Sequence, residues 1–406
     1  MARKTLATLC VALFTCMDMA RAQSTVAPAI DDGKAPEYSS RSLTAGPVKL
    51  IPRMEFNLDF DSNVYANPND EKSDAIFRFN PQLQASYARQ DLQLNTFASV
   101  GVTRFASISK ENSVTGTVQG NLSWQPQSGT QIRANLGFSR LSEDRGTVES
   151  SNSPATSPRI TNLLSATLGY HRERGRILFD LSGGAQKFDA TSPSDDARDF
   201  SAYNIIAKTG IRLAGTMFVT VTGFATYRDF RLPTEGTLSD RDSFTYGARA
   251  GFDLTSNAFL QGHLGVGLFR YDARSAIFAD HTGLSIDASL TYRPRRRTAI
   301  VLDAVRGDVA TFRLGATSRT DTQFGLAIQQ AARHNLFGSL GISWRETRYQ
   351  NDTKIFRILS GQGQVEYLFS RHAAAVATVT YTKRNSNDPQ GRFERFRVGL
   401  AVRLAL

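Results

Sequence analysis

Ser243-Phe244-Thr245-Tyr246-Gly247-Ala248-Arg249-Ala250-Gly251-Phe252-Asp253-Leu254 alternates without a break. Phe244, Tyr246, Ala248, Ala250, Phe252 and Leu254 fall on one parity; Ser243, Thr245, Gly247, Arg249, Gly251 and Asp253 fall on the other. Successive side chains of a strand point to opposite faces, so this stretch is a strand with one apolar and one polar face. The pattern returns where Ile132, Ala134, Leu136 and Phe138 alternate with Gln131, Arg133, Asn135 and Gly137. It returns again where Phe396, Val398, Leu400, Val402 and Leu404 stand against Arg397, Gly399 and Arg403. A soluble sandwich turns its apolar face inward, and one domain rarely sustains so many such strands. A transmembrane barrel turns that face to lipid and the polar face to a wet lumen. The polar faces here carry Arg, Asp, Gln and Asn repeatedly, which a packed core could not hold unpaired. The expected fold class is therefore all-β, a transmembrane antiparallel β-barrel.

Turn lengths alternate around these strands. Short links fall at Arg89-Gln90-Asp91, Pro126 to Gly129, Arg172 to Arg176, Ala214-Gly215-Thr216, Thr255 to Ala258, Arg293 to Arg297, Ala331 to Asn335 and Ser370-Arg371-His372. Longer polar loops lie between them, such as 141–160, 188–199, 231–242 and 305–320. Short periplasmic turns and long outer loops are the asymmetry of outer-membrane barrels, and counting arms gives about 18 strands. The number falls to 16 if the two weakest arms, near 298–305 and 373–382, are not strands. Tyr87, Trp124, Tyr170, Tyr292 and Phe369 each sit just before a short turn on the apolar parity, as an aromatic girdle at one membrane interface requires.

The first residues address the compartment. Arg3 and Lys4 precede a mostly apolar run from Leu6 to Ala20, and Ala20-Arg21-Ala22 is an A-x-A site. Residues 1–22 are read as a signal peptide, with the mature chain starting at Gln23. Cys16 as a lipoprotein site fits poorly after Phe14 and Thr15. Both cysteines, Cys10 and Cys16, lie in the signal, so the mature chain has no thiol for a disulfide or metal site. Cleavage takes three basic residues and one acidic, and the net charge of +11 becomes +9, from 45 basic and 36 acidic side chains. In this compartment the anionic partners are lipopolysaccharide, phospholipid headgroups or an acidic solute rather than nucleic acid. No apolar run of about 18 residues follows, so the only spanning structure left is a closed barrel. Residues 23–51 carry Pro28, Pro36 and Pro47 and no apolar period; they are read as a flexible periplasmic lead-in, with the barrel at 52–406.

The opening arm reads Met54-Glu55-Phe56-Asn57-Leu58-Asp59-Phe60-Asp61-Ser62-Asn63-Val64-Tyr65-Ala66-Asn67-Pro68. It resembles the first strand of the β-barrel porin-2 family, in which an aromatic and acidic residues lead to Asn-Val-Tyr/Phe-Ala. The cadence of short basic turns over residues 53–406 is similar in style. Leu406 departs from the terminal Phe usual in such barrels, which weakens the signal read by the barrel-assembly machinery. The resemblance implies an outer-membrane pore for exopolysaccharide or capsule export that works with a periplasmic polysaccharide-export protein. A general or sugar-uptake porin, and a structural barrel with a closed lumen, are the alternatives.

Chemistry is sparse. His171, His334 and His372 lie at or near short turns, and His263 faces the lumen with no other histidine at ligand spacing, so no metal site is expected. Asp195-Asp196 and Asp280-His281 on outer loops suggest a protease of the small-barrel kind, for which the strand count is wrong. Gly265-Val266-Gly267 and Gly361-Gln362-Gly363 precede no helix and read as close-packed strand glycines rather than a phosphate cradle. Arg293-Pro294-Arg295-Arg296-Arg297 reads as a solvated periplasmic turn, or one that meets headgroups or a periplasmic partner. No catalytic residue or cofactor is expected. The lumen-lining candidates are Arg78, Arg133, Lys208, Arg212, Arg249, Arg293, Arg397 and Arg403, against Glu55, Asp59, Asp180, Asp253, Asp287 and Glu366. Their slight cationic excess would favour anionic solutes or acidic sugars. Mixed charges that merely hydrate a lumen explain it equally well.

Overall fold

The computed structural model describes Tyr38 and residues 42–405, apart from 151–155, 233–239, 255–258, 314, 315 and 317. The signal peptide, most of the lead-in and the turn Thr255 to Ala258 lie outside the described residues. The strands are β1 (Leu43–Ala45), β2 (Val48–Asp61), β3 (Asp74–Ala88), β4 (Leu92–Phe105), β5 (Ser113–Gln127), β6 (Thr130–Ser142), β7 (Ile160–Arg174), β8 (Ile177–Ala190), β9 (Phe200–Ala214) and β10 (Met217–Phe230). They continue with β11 (Ser243–Leu254), β12 (Leu260–Ala273), β13 (His281–Arg295), β14 (Thr298–Val309), β15 (Arg319–Arg333), β16 (Leu336–Tyr349), β17 (Ile355–Leu368), β18 (Ala373–Ser386) and β19 (Phe393–Ala405).

Each strand from β2 onward pairs antiparallel with its sequence neighbours, and β19 pairs with β2 from Arg397↔Asp61 to Ala405↔Arg53. The result is a closed ring of 18 strands, and both weak arms are strands of it, β14 and β18. At a spacing of ~4.8 Å and a tilt of ~40°, such a ring measures about 35 Å across its backbone. Strands of 12 to 15 residues rise far enough at that tilt to span the apolar layer. The apolar parity is outward: Leu136, Leu168, Phe252, Leu340 and Leu400 are large, apolar and exposed. The short turns and the chain's first and last strands share one end, the periplasmic one; the long loops share the other.

The wall begins earlier than the sequence suggested. Residues 48–51 open β2 and pair with β3, and residues 43–45 form β1, an extra strand outside the ring, rather than a flexible lead-in. Val48, Leu50 and Pro52 continue the parity of Met54 and Phe56, but Pro47 and Pro52 disguise it as a linker. Pro52 lies just past the last β19 partner of β2, and β1 pairs with Val48 to Leu50.

The outer end of β14 and β15 leaves the wall. The β13 ladder with β14 stops at Ile286↔Arg306, whereas that of β14 with β15 runs on to Val309↔Arg319. Residues 307–311 and 318–322 are buried whatever their parity. A strand tip covered on both faces has folded into the barrel, and its apolar side packs there. Ala310 joins Phe188, Phe200 and Ala202, with Phe230 and Phe312 against them. Phe188 and Phe200 stack at 4.5 Å between ring centroids.

Candidate functional site

The inward parity carries charged side chains on most strands, and many of them are paired. Pairs often skip a strand, because residues two strands apart on one face come together where the intervening side chain is small or itself polar. Arg133 on β6 reaches Asp180 on β8 at 2.6 Å, over His171 of β7, which also contacts Asp180 at 3.2 Å. Lys208 on β9 meets Asp253 on β11 at 2.9 Å. Arg249 on β11 meets Asp287 on β13 at 3.3 Å, with His263 of β12 3.2 Å from the same carboxylate. Arg403 bridges Glu55 and Glu366 at 3.0 Å each. Arg78 pairs with Asp59, and Arg212 with Glu173. Arg397 holds Asp61 at 2.6 Å and Asp144 at 2.8 Å. Seven of the cationic candidates, Arg78, Arg133, Lys208, Arg212, Arg249, Arg397 and Arg403, thus meet carboxylates within ion-pair distance. His171 is likewise bonded to a carboxylate rather than left to solvent.

Apart from Arg397 and the opening arm, the outer mouth is organised by residues the sequence did not single out. The loop after β6 brings Glu143, Asp144, Arg145, Val148 and Glu149 inward. Arg145 donates to both oxygens of Glu111, from Nη2 at 2.6 Å and Nε at 3.2 Å, and each side chain is only 5% exposed. Its guanidinium lies 5.8 Å from the ring centroid of Tyr65. Asp144 is gripped by Arg395 at 2.6 Å and by Arg397. Burial alone would raise this carboxyl's pKa, but the two guanidiniums outweigh it and hold the group well below the usual carboxylate range. Arg384 on β18 donates to the Gly146 and Thr147 carbonyls at 3.3 and 3.0 Å. Glu149 accepts from Thr311 Oγ1 at 2.6 Å and from the Phe312 backbone N–H at 3.0 Å, and pairs with Arg319 at 3.1 Å. Val148 packs with Ala316, Tyr349 and Phe356.

Glu149 thus joins the β6 loop to the inward tip of β14 and β15. The roots β6 and β15 lie nine strands apart whichever way the ring is counted, so the two excursions start from opposite walls. The tip is tied to the near wall by Arg228 and Asp308, 2.5 Å apart, with side chains 2% and 0% exposed. Thr245 Oγ1 donates to the same carboxylate at 2.9 Å.

The segment that carried the family resemblance forms the third part of the mouth. Asp61, Asn63, Val64, Tyr65 and Ala66 are all buried. Asn63 Nδ2 donates to the Asn67 carbonyl at 2.8 Å and to the Glu394 carbonyl at 3.1 Å, and its Oδ1 accepts from the Asn67 backbone N–H at 3.0 Å. This closes a tight turn with Ala66 at φ +51. The motif therefore builds the floor under Arg145.

The other candidates are spoken for. Asp195 pairs with Arg159 at 2.8 Å, Asp280 with Arg270 at 3.3 Å, and His281 stacks on Tyr271 at 5.0 Å, so no acid and His/Asp pair is assembled from them. Both glycine doublets lie within strands β12 and β17; a Cβ on Gly267 would meet the Ala248 carbonyl oxygen at 1.8 Å, whereas Gly361 has open space. Among the described residues no group of His, Cys, Asp and Glu could hold a metal ion. Trp124, Tyr292 and Phe369 are exposed, and Tyr87 and Tyr170 half-buried, near the short-turn ends of their strands. Trp124, Ile132 and Tyr170 are consecutive register partners.

A closed antiparallel ring, apolar outside and charged within, with short turns at one end and inward-folded loops at the other, defines an outer-membrane β-barrel of the porin class. The chain belongs to the family described as Putative beta-barrel porin 2, whose model matches residues 35–406. No curated protein matches the sequence. Among solved structures, OccK2 (OpdF) of Pseudomonas aeruginosa is 10% identical, with a TM-score of 0.46 over 88% of this chain and 98% of that one. The FrpB iron transporter of Neisseria meningitidis is 9% identical, with a TM-score of 0.48 over 90% and 82%. The siderophore receptor PirA of Pseudomonas aeruginosa is 10% identical, with a TM-score of 0.43 over 90% and 80%. Likeness at this level bears on neither solute nor direction of transport.

Proposed function

We propose that this outer-membrane porin exports a surface polysaccharide bearing acidic groups, delivered by a periplasmic polysaccharide-export protein. The observation that carries the reading is the composition of the mouth. Three carboxylates of the outer loops, Glu111, Asp144 and Glu149, are held by the guanidiniums of Arg145, Arg395, Arg397 and Arg319. A polymer carboxylate arriving from within can take a loop carboxylate's place on the same guanidinium, so entry of the passenger loosens the loops with little net loss of ion pairing. A neutral sugar has no such exchange to offer. In this reading Arg78, Arg133, Lys208, Arg212, Arg249, Asp253, Asp287 and Arg397 line the path as paired, hydrated groups that neither trap nor repel a polyanion strongly. Tyr87, Trp124, Tyr170, Tyr292 and Phe369 mark the periplasmic interface.

The test is a gene deletion, with a conductance measurement beside it. Deletion should reduce surface polysaccharide and leave growth on small nutrients unchanged. Slower uptake of small solutes with normal polysaccharide would hand the role to an uptake porin. In planar bilayers, oligogalacturonate on the periplasmic side should change the open-channel current, and neutral dextran of equal size should not.

A further inference from the structure

Two sets of guanidiniums in this protein contrast, one at the outer mouth and one beside the short turns. At the outer end Arg145, Arg228, Arg319, Arg395 and Arg397 are each ion-paired and largely withdrawn from solvent. At the periplasmic end Arg89, Arg172, Arg174, Arg295 and Arg371 carry no ion pair among the described residues. Arg89, Arg174 and Arg295 are exposed, and Arg172 and Arg371 half-exposed.

Register shows where they point. Cross-strand partners share a face, and Arg172 is opposite Phe179 while Arg174 is opposite Ile177, both outward-facing and exposed. The outward column of β7 therefore reads Leu168, Tyr170, Arg172, Arg174. Along β13 the register shifts between Tyr292 and Arg295, which places Arg295 opposite Thr298. Thr298 lies two residues from Ile300, the partner of Tyr292, so the shift returns Arg295 to the outward face. Arg89 follows Tyr87 by two residues and bonds through its backbone N–H to the Leu92 carbonyl at 2.7 Å. Arg371 sits in the turn two residues after Phe369. Four of the five girdle aromatics thus have an uncompensated arginine just beyond them.

We infer that these arginines form a belt of binding sites for the phosphates of anionic phospholipids in the periplasmic leaflet of the outer membrane. The aromatic ring lies at the headgroup boundary, the arginine stem runs along the apolar face, and the guanidinium reaches the phosphate level, where it can bond two oxygens at once. The sites sit on β7 and β13 and in the turns after β3 and β17, spaced four to six strands apart right round the ring. A docked protein would require cations gathered on one side or beneath the lumen. A lipid annulus requires them on every side and facing outward: the four sites are spread round the ring, and register turns Arg172, Arg174 and Arg295 to the lipid side.

Native mass spectrometry of the full mature protein, exchanged into micelles with equal phosphatidylglycerol and phosphatidylcholine, tests the belt. Phosphatidylglycerol should be retained several-fold over phosphatidylcholine, up to four molecules per barrel. The combined variant Arg89→Gln, Arg172→Gln, Arg174→Gln, Arg295→Gln and Arg371→Gln should bring the ratio to one. A control with Arg231→Gln, Arg270→Gln and Arg274→Gln at the outer end should keep it. Equal retention of the two lipids by the unaltered protein, or an undiminished preference in the periplasmic variant, overturns the inference. Because the first comparison uses unaltered protein, poor folding of the variant cannot rescue it.

Discussion

Arg145→Ala should undock the loop that follows β6. Arg145 and Glu111 are each 5% exposed, and the pair is made by two hydrogen bonds. Removing the guanidinium while the loop stays docked leaves a carboxylate buried without its counter-charge, at about 3–5 kcal/mol. With the loop released, Glu111 meets water and that penalty disappears, so the docking equilibrium carries the whole cost. Even ~3 kcal/mol shifts the released fraction by roughly 150-fold, at 1.4 kcal/mol per decade. The mature chain lacks cysteine on the signal-peptide reading, so Val148→Cys gives a single reporter, 8% exposed in the docked loop. When opening and closing are fast, maleimide labelling follows the released population. It should therefore accelerate roughly 100-fold in Arg145→Ala, and single-channel records should show a larger share of time at the higher conductance of the released state. Adding Glu111→Gln should recover most of the protection. If labelling and conductance stay at the parent values in a barrel with normal heat-modifiable migration, Arg145 does not hold the mouth and the account of the loops is wrong.

Three further outcomes are expected. Phe252→Arg places a charge on the lipid face at about 2–4 kcal/mol near the midplane, and Gln362→Arg on the inward face should cost far less in urea-unfolding assays in vesicles; equal losses would show the parity to be wrong. Gly251 is no control for this, since a Cβ there would meet the Leu264 carbonyl oxygen at 1.8 Å. Asp144 has a depressed carboxyl, so its contribution is complete above the unfolded value of about 3.9 and is lost only as pH falls through the lower, folded one. Labelling at Val148→Cys should therefore stay flat from neutral pH down to about 5 and rise only below about 4, and a rise near pH 6 would count against Asp144 as the controlling group. Ala66 adopts φ +51, which costs an L-residue about 1–2 kcal/mol; Ala66→Gly should stabilise the mouth and slow labelling of Val148→Cys, and faster labelling would contradict the turn's geometry.

The wall was readable because its rule is local. Phe252 and Arg249 declare opposite faces through their neighbours alone, and eighteen repetitions with alternating turn lengths leave one closed architecture. Val48 to Ile51 escaped because proline is the usual sign of a linker, although the parity runs straight through Pro52. The pairing of Arg133 with Asp180, 47 residues apart, was within reach once registers were counted, since both lie on the inward face two strands apart. The mouth was not within reach. Asp144 meets Arg395 across 251 residues, and Glu149 meets Phe312 across 163. Nothing in a polar loop announces that it turns inward rather than out to water. The one available hint was buried-type pairing chemistry: Arg384, Arg395 and Arg397 crowd the inward parity at the outer ends of β18 and β19 and need carboxylates from somewhere.

The meeting of the β6 loop with the β14–β15 tip has a mechanical side. A hydrogen-bonded ring resists stretching along its circumference but flattens into an ellipse easily, because bending a sheet breaks no ladder. A strut across one diameter removes that softness in one direction. With Glu149 bound to Arg319 and Phe312, and Asp308 to Arg228, the outer cross-section has a brace rooted in opposite walls. Release of the brace and ovalisation of the barrel are then a single movement, and lateral pressure in the surrounding leaflet becomes an input to it. A membrane that squeezes the ring along the brace loads those contacts, and one that squeezes across it pulls them apart.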